Sequence, residues 1–176
     1  MKSDHITYQG ARLHYNDAGK GDVVVLLHGF MESGKMWNYY AKKLSADFRV
    51  IVPDLPGHGR SEVVDSVHTV SMMADSVFAI LDHLDIEKCF LVGHSMGGYV
   101  GMAYAEQYAD NLTGLCLFHS HAAADTPMAK AMRNRLVKIV EADKAGFIHQ
   151  FFPGLFAPGR AAEFPKEIAA FREEAQ

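Results

Sequence analysis

The chain has 176 residues, of which 49% are hydrophobic and 22% are charged, and its net charge is −4. A chain of this length usually forms one domain, and the apolar fraction is enough for a hydrophobic core, which excludes a disordered protein. The mild acidity argues against a nucleic-acid partner, because nucleic acids select a basic surface. No apolar run reaches the length of a membrane span, and residues 1–10 lack the apolar core of a signal peptide. We therefore expect a cytoplasmic protein with no membrane partner.

The first part of the chain predicts a hairpin followed by alternating strands and helices. Alternating polarity at residues 6–8 and 12–16, on either side of Gln9-Gly10, predicts an antiparallel hairpin. Aliphatic runs then predict buried strands at 23–27, 49–53, 88–92 and 114–118, and apolar periodicity predicts helices at 35–44, 70–84 and 96–108. This alternation implies an α/β fold, in which βαβ crossovers build a mostly parallel central sheet with helices on both faces.

The pattern changes after residue 118. Thr126-Pro127 predicts the N-cap and first position of a helix, and the remaining residues predict further helices but no strand. The phenylalanines of this segment either cover the core or roof an apolar substrate pocket. We expect a core formed by residues 1–122 and a helical segment formed by residues 123–176.

Neither cysteine predicts a disulfide or a zinc site. Cys89 and Cys116 both lie inside apolar runs, so we interpret them as buried thiols. We expect no metal and no cofactor.

The segment Gly93-His94-Ser95-Met96-Gly97 carries the strongest functional signal. It fits the G-x-S-x-G nucleophile elbow and lies between a predicted strand and a predicted helix, which is the context that this motif requires. The sharp turn needs glycines two residues away on each side, because larger residues would clash. Ser95 is therefore the candidate nucleophile, and it lies at a helix N-terminus whose N–H groups favour a developing oxyanion.

A second segment, His28-Gly29-Phe30, follows the first buried strand directly. Acyl transfer needs two backbone donors aimed at the tetrahedral oxygen, and we predict that these are the N–H groups of Phe30 and Met96. Gly29 has no side chain to block the approach. We interpret His28 as a residue that packs in the loop and hydrogen-bonds it, rather than as a catalytic group.

Three motifs in order along the chain resemble those of the α/β-hydrolase superfamily. They are Leu27-His28-Gly29-Phe30, the glycine-rich run from Asp54 to Ser61, and Gly93-His94-Ser95-Met96-Gly97-Gly98. The match is best with the small esterase-type members and covers Tyr8 to about Phe118, and the later helices resemble the start of the family's helical cap. The resemblance implies a serine hydrolase with a small ester-like substrate and an acyl-enzyme on Ser95. It also implies that Asp54 and Ser61 shape a loop by bonding backbone groups.

The resemblance also implies that part of the catalytic triad is absent from these residues. In the family, the acid and then the histidine follow later strands, and no strand is predicted after Phe118. We therefore expect a truncated chain that lacks the C-terminal strands and is almost inactive alone. We expect its open sheet edge to be covered by a second copy or by the missing C-terminal segment.

Three alternatives remain open at this stage. His119, His121 and Asp125 are the nearest substitutes for the missing triad members, and His119-x-His121 could bind a metal if a third ligand were present. The third alternative is a non-catalytic ligand-binding or interaction protein built on the same fold.

Overall fold

A six-stranded sheet organises residues 1–122. A computed structural model describes residues 1–175, and its strands are β1 (Lys2–Tyr8), β2 (Ala11–Ala18), β3 (Val23–Leu27), β4 (Arg49–Pro53), β5 (Cys89–His94) and β6 (Leu112–Phe118). The strand order is β1-β2-β4-β3-β5-β6. The first two pairings, β1 with β2 and β2 with β4, are antiparallel, whereas β4, β3, β5 and β6 run parallel to one another. The predicted mostly parallel sheet is confirmed.

Three helices accompany the parallel strands: α1 (Asn38–Leu44), α2 (Val70–His83) and α3 (Met96–Gln107). The helix predicted at 35–44 is in fact a 3₁₀ turn, Gly34–Trp37, followed by α1. The tighter turn has a local cause, because Ser33 Oγ caps the Lys35 N–H at 3.2 Å and the Asp54 carboxylate accepts the Gly34 N–H at 2.8 Å. β5 also runs two residues further than predicted, to His94.

The core has one apolar layer on each face of the sheet. On β3, Val25 and Leu27 join the layer beneath α2 and α3, whereas Val24 and Leu26 join the layer beneath α1. Successive residues of a strand point to opposite faces, so a strand covered on both faces must be apolar throughout. This is the physical reason for the continuous aliphatic run at 23–27.

β6 is the edge strand and differs from the other parallel strands in its burial. None of its residues is buried, and Phe118 is 38% exposed. Cys116 on this strand is only half-buried, which corrects the expectation of two buried thiols. Cys89 on β5 is buried, and that burial raises the pKa of its thiol to about 11. The expectation that something covers the β6 edge stays a prediction.

The chain divides into two compact units, residues 1–122 and 123–176. The described part of the second unit contains α4 (Pro127–Ala142), α5 (Lys144–Phe151) and α6 (Pro165–Glu174), with short 3₁₀ turns between α5 and α6 and no strand. Thr126 Oγ1 accepts the Ala129 N–H at 3.2 Å, which confirms the predicted N-cap. Across residues 1–175, no helix is both long enough and apolar enough to cross a membrane.

Candidate active site

Ser95 lies on the turn between β5 and α3, with φ 49° and ψ −114°. A residue other than glycine with positive φ costs energy and persists only where its surroundings fix it. Two contacts do so here: the Ser95 N–H donates to the Phe118 carbonyl at 3.1 Å, and Ser120 Oγ donates to the Ser95 carbonyl at 2.9 Å. The strained turn is therefore anchored to β6 and to the residues that follow it.

Gly93 and Gly97 allow the turn because backbone atoms occupy the space where side chains would lie. A Cβ on Gly93 would lie 2.3 Å from the Gly97 carbonyl oxygen, and a Cβ on Gly97 would lie 2.6 Å from the His28 carbonyl oxygen. Both distances are far below van der Waals contact. The two glycines thus let α3 begin directly against the ends of β3 and β5.

The N-terminus of α3 supplies backbone donors beside Ser95. Met96 is the first residue of the helix, and the Gly98 N–H bonds the Ser95 carbonyl at 3.0 Å in a tight first turn. The first N–H groups of any helix have no carbonyl within the helix to bond, and the helix dipole makes this end positive. Negative charge that develops next to Ser95 is favoured by this position.

The loop after β3 comes to the same edge of the sheet as Ser95. β3 and β5 are adjacent and parallel, with Leu27 opposite Gly93, so the residues that follow each strand meet. A Cβ built on Gly29 would lie 3.2 Å from the Ser95 Cβ. Phe30, the next residue, is 47% exposed, and its ring contacts His58. The two segments that hold the predicted donors, Phe30 and Met96, are thus neighbours.

His28 is fully buried beneath this loop, and both of its ring nitrogens are bonded. Its Nε2 accepts the Leu55 N–H at 2.9 Å, which leaves Nδ1 as the protonated nitrogen that donates to the Gly29 carbonyl at 2.8 Å. Burial lowers the pKa of His28 to about 4. A neutral ring that is bonded at both nitrogens shapes the loop and cannot take a proton from Ser95.

Glu32 is a site residue that sequence reasoning missed. One oxygen of its carboxylate, Oε2, accepts the Gly29 N–H at 2.7 Å and lies 2.9 Å from His94 Nδ1. The side chain of Glu32 is 10% exposed and that of His94 is 19% exposed. A glutamate three residues after Gly29 was the only signal, and it resembles an ordinary surface charge, because its partner His94 lies 62 residues further on.

Asp54 organises the loop after β4 in a similar way. Its carboxylate accepts the N–H groups of Gly34 at 2.8 Å and Arg60 at 3.0 Å, and Ser61 Oγ donates to the Asp54 carbonyl at 2.6 Å. The same hydroxyl accepts the His14 N–H at 2.8 Å. These contacts confirm the expectation that Asp54 and Ser61 bond backbone groups.

The described contacts of the three substitutes for the triad are with different groups. His119 follows β6 with φ 48°, and its ring lies near those of Phe118 and His94. The ring of His121 lies near that of Tyr99. The Asp125 carboxylate is bound by the Arg133 guanidinium within the second unit. Across residues 1–175, no three His, Cys, Asp or Glu side chains are grouped to hold a metal ion.

A serine on a strained strand-to-helix turn, at the carboxyl edge of a mostly parallel sheet, is the arrangement of the α/β hydrolases. The chain belongs to this family, because the family model described as "alpha/beta hydrolase fold" matches residues 22–166.

Similar proteins of known structure include hydrolases. A thermophilic esterase from Thermogutta terrifontis is 35% identical, with a TM-score of 0.87 over 99% of this chain and 66% of its own. An enol-lactonase from Burkholderia xenovorans is 26% identical, with a TM-score of 0.86 over 98% of this chain and 67% of its own. Among curated proteins, a 2-hydroxy-6-oxo-6-phenylhexa-2,4-dienoate hydrolase of Comamonas testosteroni is 36% identical over 110 residues. The relatives support a hydrolase.

The chain is shorter than the proteins that it matches. The alignment with the Comamonas testosteroni hydrolase covers 60% of this chain and 38% of that protein, and two other curated relatives are covered over 33% and 52% of their length. Its alignment extends over about two thirds of the esterase and of the enol-lactonase.

Proposed function

We propose that this chain carries the nucleophile and the oxyanion hole of a serine hydrolase that acts on a carboxylic ester or a related carbonyl compound. The observation that carries the proposal is the backbone of Ser95, with φ 49° at the N-terminus of α3 and with the Gly29 loop in contact with it. Ser95 is half-buried at the edge of the sheet, where a substrate carbonyl would lie beside donors for its oxygen.

The chemistry follows from this arrangement. Ser95 Oγ attacks the carbonyl carbon while a base takes the hydroxyl proton, and the carbonyl electron pair moves to the oxygen. The N–H groups of Phe30 and Met96 stabilise that oxyanion. The bond to the leaving group then breaks, the leaving group takes the proton, and an acyl-enzyme on Ser95 remains. Water releases the acid by the same steps in reverse order.

We propose that the acid and the base come from sequence outside residues 1–176. The proposal is supported by the partial coverage of the esterase and the enol-lactonase, and by the histidines next to the site. His28 is neutral and bonded at both nitrogens, and the Nδ1 of His94 is held by Glu32. His28 therefore has no nitrogen left to accept the Ser95 proton, and no hydrogen bond between His94 and Ser95 is described.

The substrate class that we propose is a small ester or lactone. The similar proteins are named an esterase, an enol-lactonase and a dienoate hydrolase. The compounds in these names all contain a carbonyl carbon that a nucleophile can attack. The proposed reaction needs no cofactor. The cytoplasmic location stays a prediction.

Labelling of Ser95 tests the proposal. We expect a fluorophosphonate probe to form an adduct on Ser95 in the protein expressed from its complete gene, and Ser95→Ala to lose both the adduct and roughly a millionfold of ester turnover. Residues 1–176 expressed alone should show a comparable loss, because a serine without its histidine has no base.

Two results would contradict it. If the protein from the complete gene formed no Ser95 adduct, the non-catalytic ligand-binding protein would become the better account. If residues 1–176 alone hydrolysed esters at ordinary enzymatic rates, the base would have to lie within them.

A further inference from the structure

The turn formed by residues 29–32 carries one of the two proposed oxyanion donors, and it is strained. The Glu32 N–H bonds the Gly29 carbonyl at 3.4 Å, which closes a four-residue turn with Phe30 and Met31 at its centre. Met31 has φ 60°, in the left-handed region that a long side chain rarely adopts. Such a conformation persists only where other contacts fix it.

The Glu32 side chain makes those contacts. Its Oε2 folds back over the turn to accept the Gly29 N–H at 2.7 Å, and the same oxygen is 2.9 Å from His94 Nδ1. A carboxylate only accepts hydrogen bonds, so His94 Nδ1 carries the proton. Glu32 thereby connects the first residue of the turn to the residue that precedes Ser95.

We propose that Glu32 is a positioning residue whose carboxylate fixes the turn at 29–32 against the nucleophile turn, and thereby fixes the Phe30 N–H relative to Ser95. The inference rests on the proposed function and adds the element that aligns the two halves of its oxyanion hole. Preorganised donors stabilise an oxyanion only if they are already in place when the charge develops. The bridge from Glu32 to Gly29 and His94 supplies this alignment across two separate segments of the chain.

Glu62 is a matched control for Glu32. Its Oε2 accepts the Arg12 N–H at 2.8 Å, and its Oε1 accepts Arg12 Nε at 2.9 Å. It is therefore also a carboxylate that bridges a backbone N–H and a side chain. Arg12 lies on β2, which β4 and β3 separate from β5. The Glu62→Ala variant removes the same kind of contact without touching the turn at 29–32.

The first measurement is amide hydrogen exchange in the protein from its complete gene, which needs no ester turnover. We expect Glu32→Ala to speed exchange of the Gly29 N–H at least about tenfold, because a hydrogen bond to a charged acceptor is lost. Glu62→Ala should leave Gly29 unchanged and speed exchange of the Arg12 N–H instead. An unchanged Gly29 exchange rate in Glu32→Ala would overturn the inference.

The second measurement is ester turnover by the protein from its complete gene. We expect Glu32→Ala to lower kcat about 30-fold with KM changed less than about twofold, since the contact acts on the oxyanion rather than on the bound substrate. Glu32→Gln should recover to within about fivefold of the parent kcat, because its amide oxygen still accepts both hydrogen bonds. Glu62→Ala should stay within about twofold.

The outcomes separate this inference from the proposed function. If the parent protein labels at Ser95 and Glu32→Ala keeps the parent kcat, the inference is wrong and the serine hydrolase stands. A Glu32→Gln variant as slow as Glu32→Ala would also overturn it, because the charge rather than the position would then matter. If the parent protein neither labels nor turns over esters, the proposed function fails and this role of Glu32 fails with it.

Discussion

The carboxyl ends of the central strands and the segment after β6 are built differently. After β3 and β4, buried polar side chains are each bonded to backbone N–H groups: His28 accepts from Leu55, and Asp54 accepts from Gly34. Both side chains are nearly inaccessible, at 0% and 4% exposure. An unbonded buried polar group is costly, so any other arrangement of these loops would lose stability.

After β6, the described contacts of the histidines are of another kind. The rings of His119 and His121 lie near aromatic rings, and no residue of β6 or of α4 is buried. A ring contact satisfies no buried donor or acceptor, so its loss carries no penalty for an unbonded polar group. The difference teaches that buried, bonded side chains fix the loops after β3 and β4. After β6, His119 and His121 have described ring contacts, and Ser120 between them supplies the hydrogen bond to Ser95.

The largest expected effect comes from filling the space behind Ser95. Gly93→Ala should lower the free energy of unfolding by about 4 kcal/mol, at the high end of overpacking effects, because its Cβ would meet the backbone of Gly97 on α3. Urea unfolding measures this change.

Gly154→Ala is the control for that variant. A Cβ on Gly154 meets nothing within 4 Å, and we expect a change of less than about 0.5 kcal/mol. If both variants lost the same free energy of unfolding, the close packing around Gly93 would not be what makes the turn at Ser95 intolerant of a side chain.

The next effect is a loss of stability in acid through His28. Its pKa is about 4 in the folded protein and about 6.5 when unfolded, so the unfolded chain binds the proton first as pH falls. The stability that depends on the neutral His28 ring is therefore fully present above pH 6.5 and is lost as the pH falls toward 4. His28 alone should account for about 2 kcal/mol of stability lost between pH 8 and pH 5.

His28→Gln isolates this contribution. Burial also lowers the pKa values of His14 and His58, so the parent protein should lose more than the His28 share in the same pH range. The variant should show a pH dependence that is smaller by about 2 kcal/mol, whatever its stability at pH 8. An identical pH dependence of stability in both proteins would show that protonation of the buried His28 ring does not destabilise the fold.

The smallest effect is expected after β6. His119→Ala and His121→Ala should each change ester turnover of the protein from its complete gene by less than about threefold, because ring contacts are described for both residues but no hydrogen bond to Ser95. Steady-state kinetics on a short ester measures this. A loss of more than a hundredfold in either variant would make that histidine the base and would remove the contrast between the two regions.

The sequence by itself determined the sheet and the nucleophile turn. Strands covered on both faces must be aliphatic, so the run at 23–27 and the alternation after it predicted the parallel sheet. The sequence also showed the turn through Gly93 and Gly97. A Cβ at these positions would lie 2.3 and 2.6 Å from backbone oxygens, so only glycine fits there.

Only the tertiary structure decided which polar side chains hold this turn in place. Glu32 and His94 are 62 residues apart, and nothing local to either residue distinguishes a buried carboxylate from a solvated one. Their meeting depends on β3 and β5 becoming neighbours, with Leu27 opposite Gly93, although β4 comes between them in the sequence. Strand order is a property of the assembled sheet. The contacts that depend on it therefore leave no pattern in the sequence of either segment.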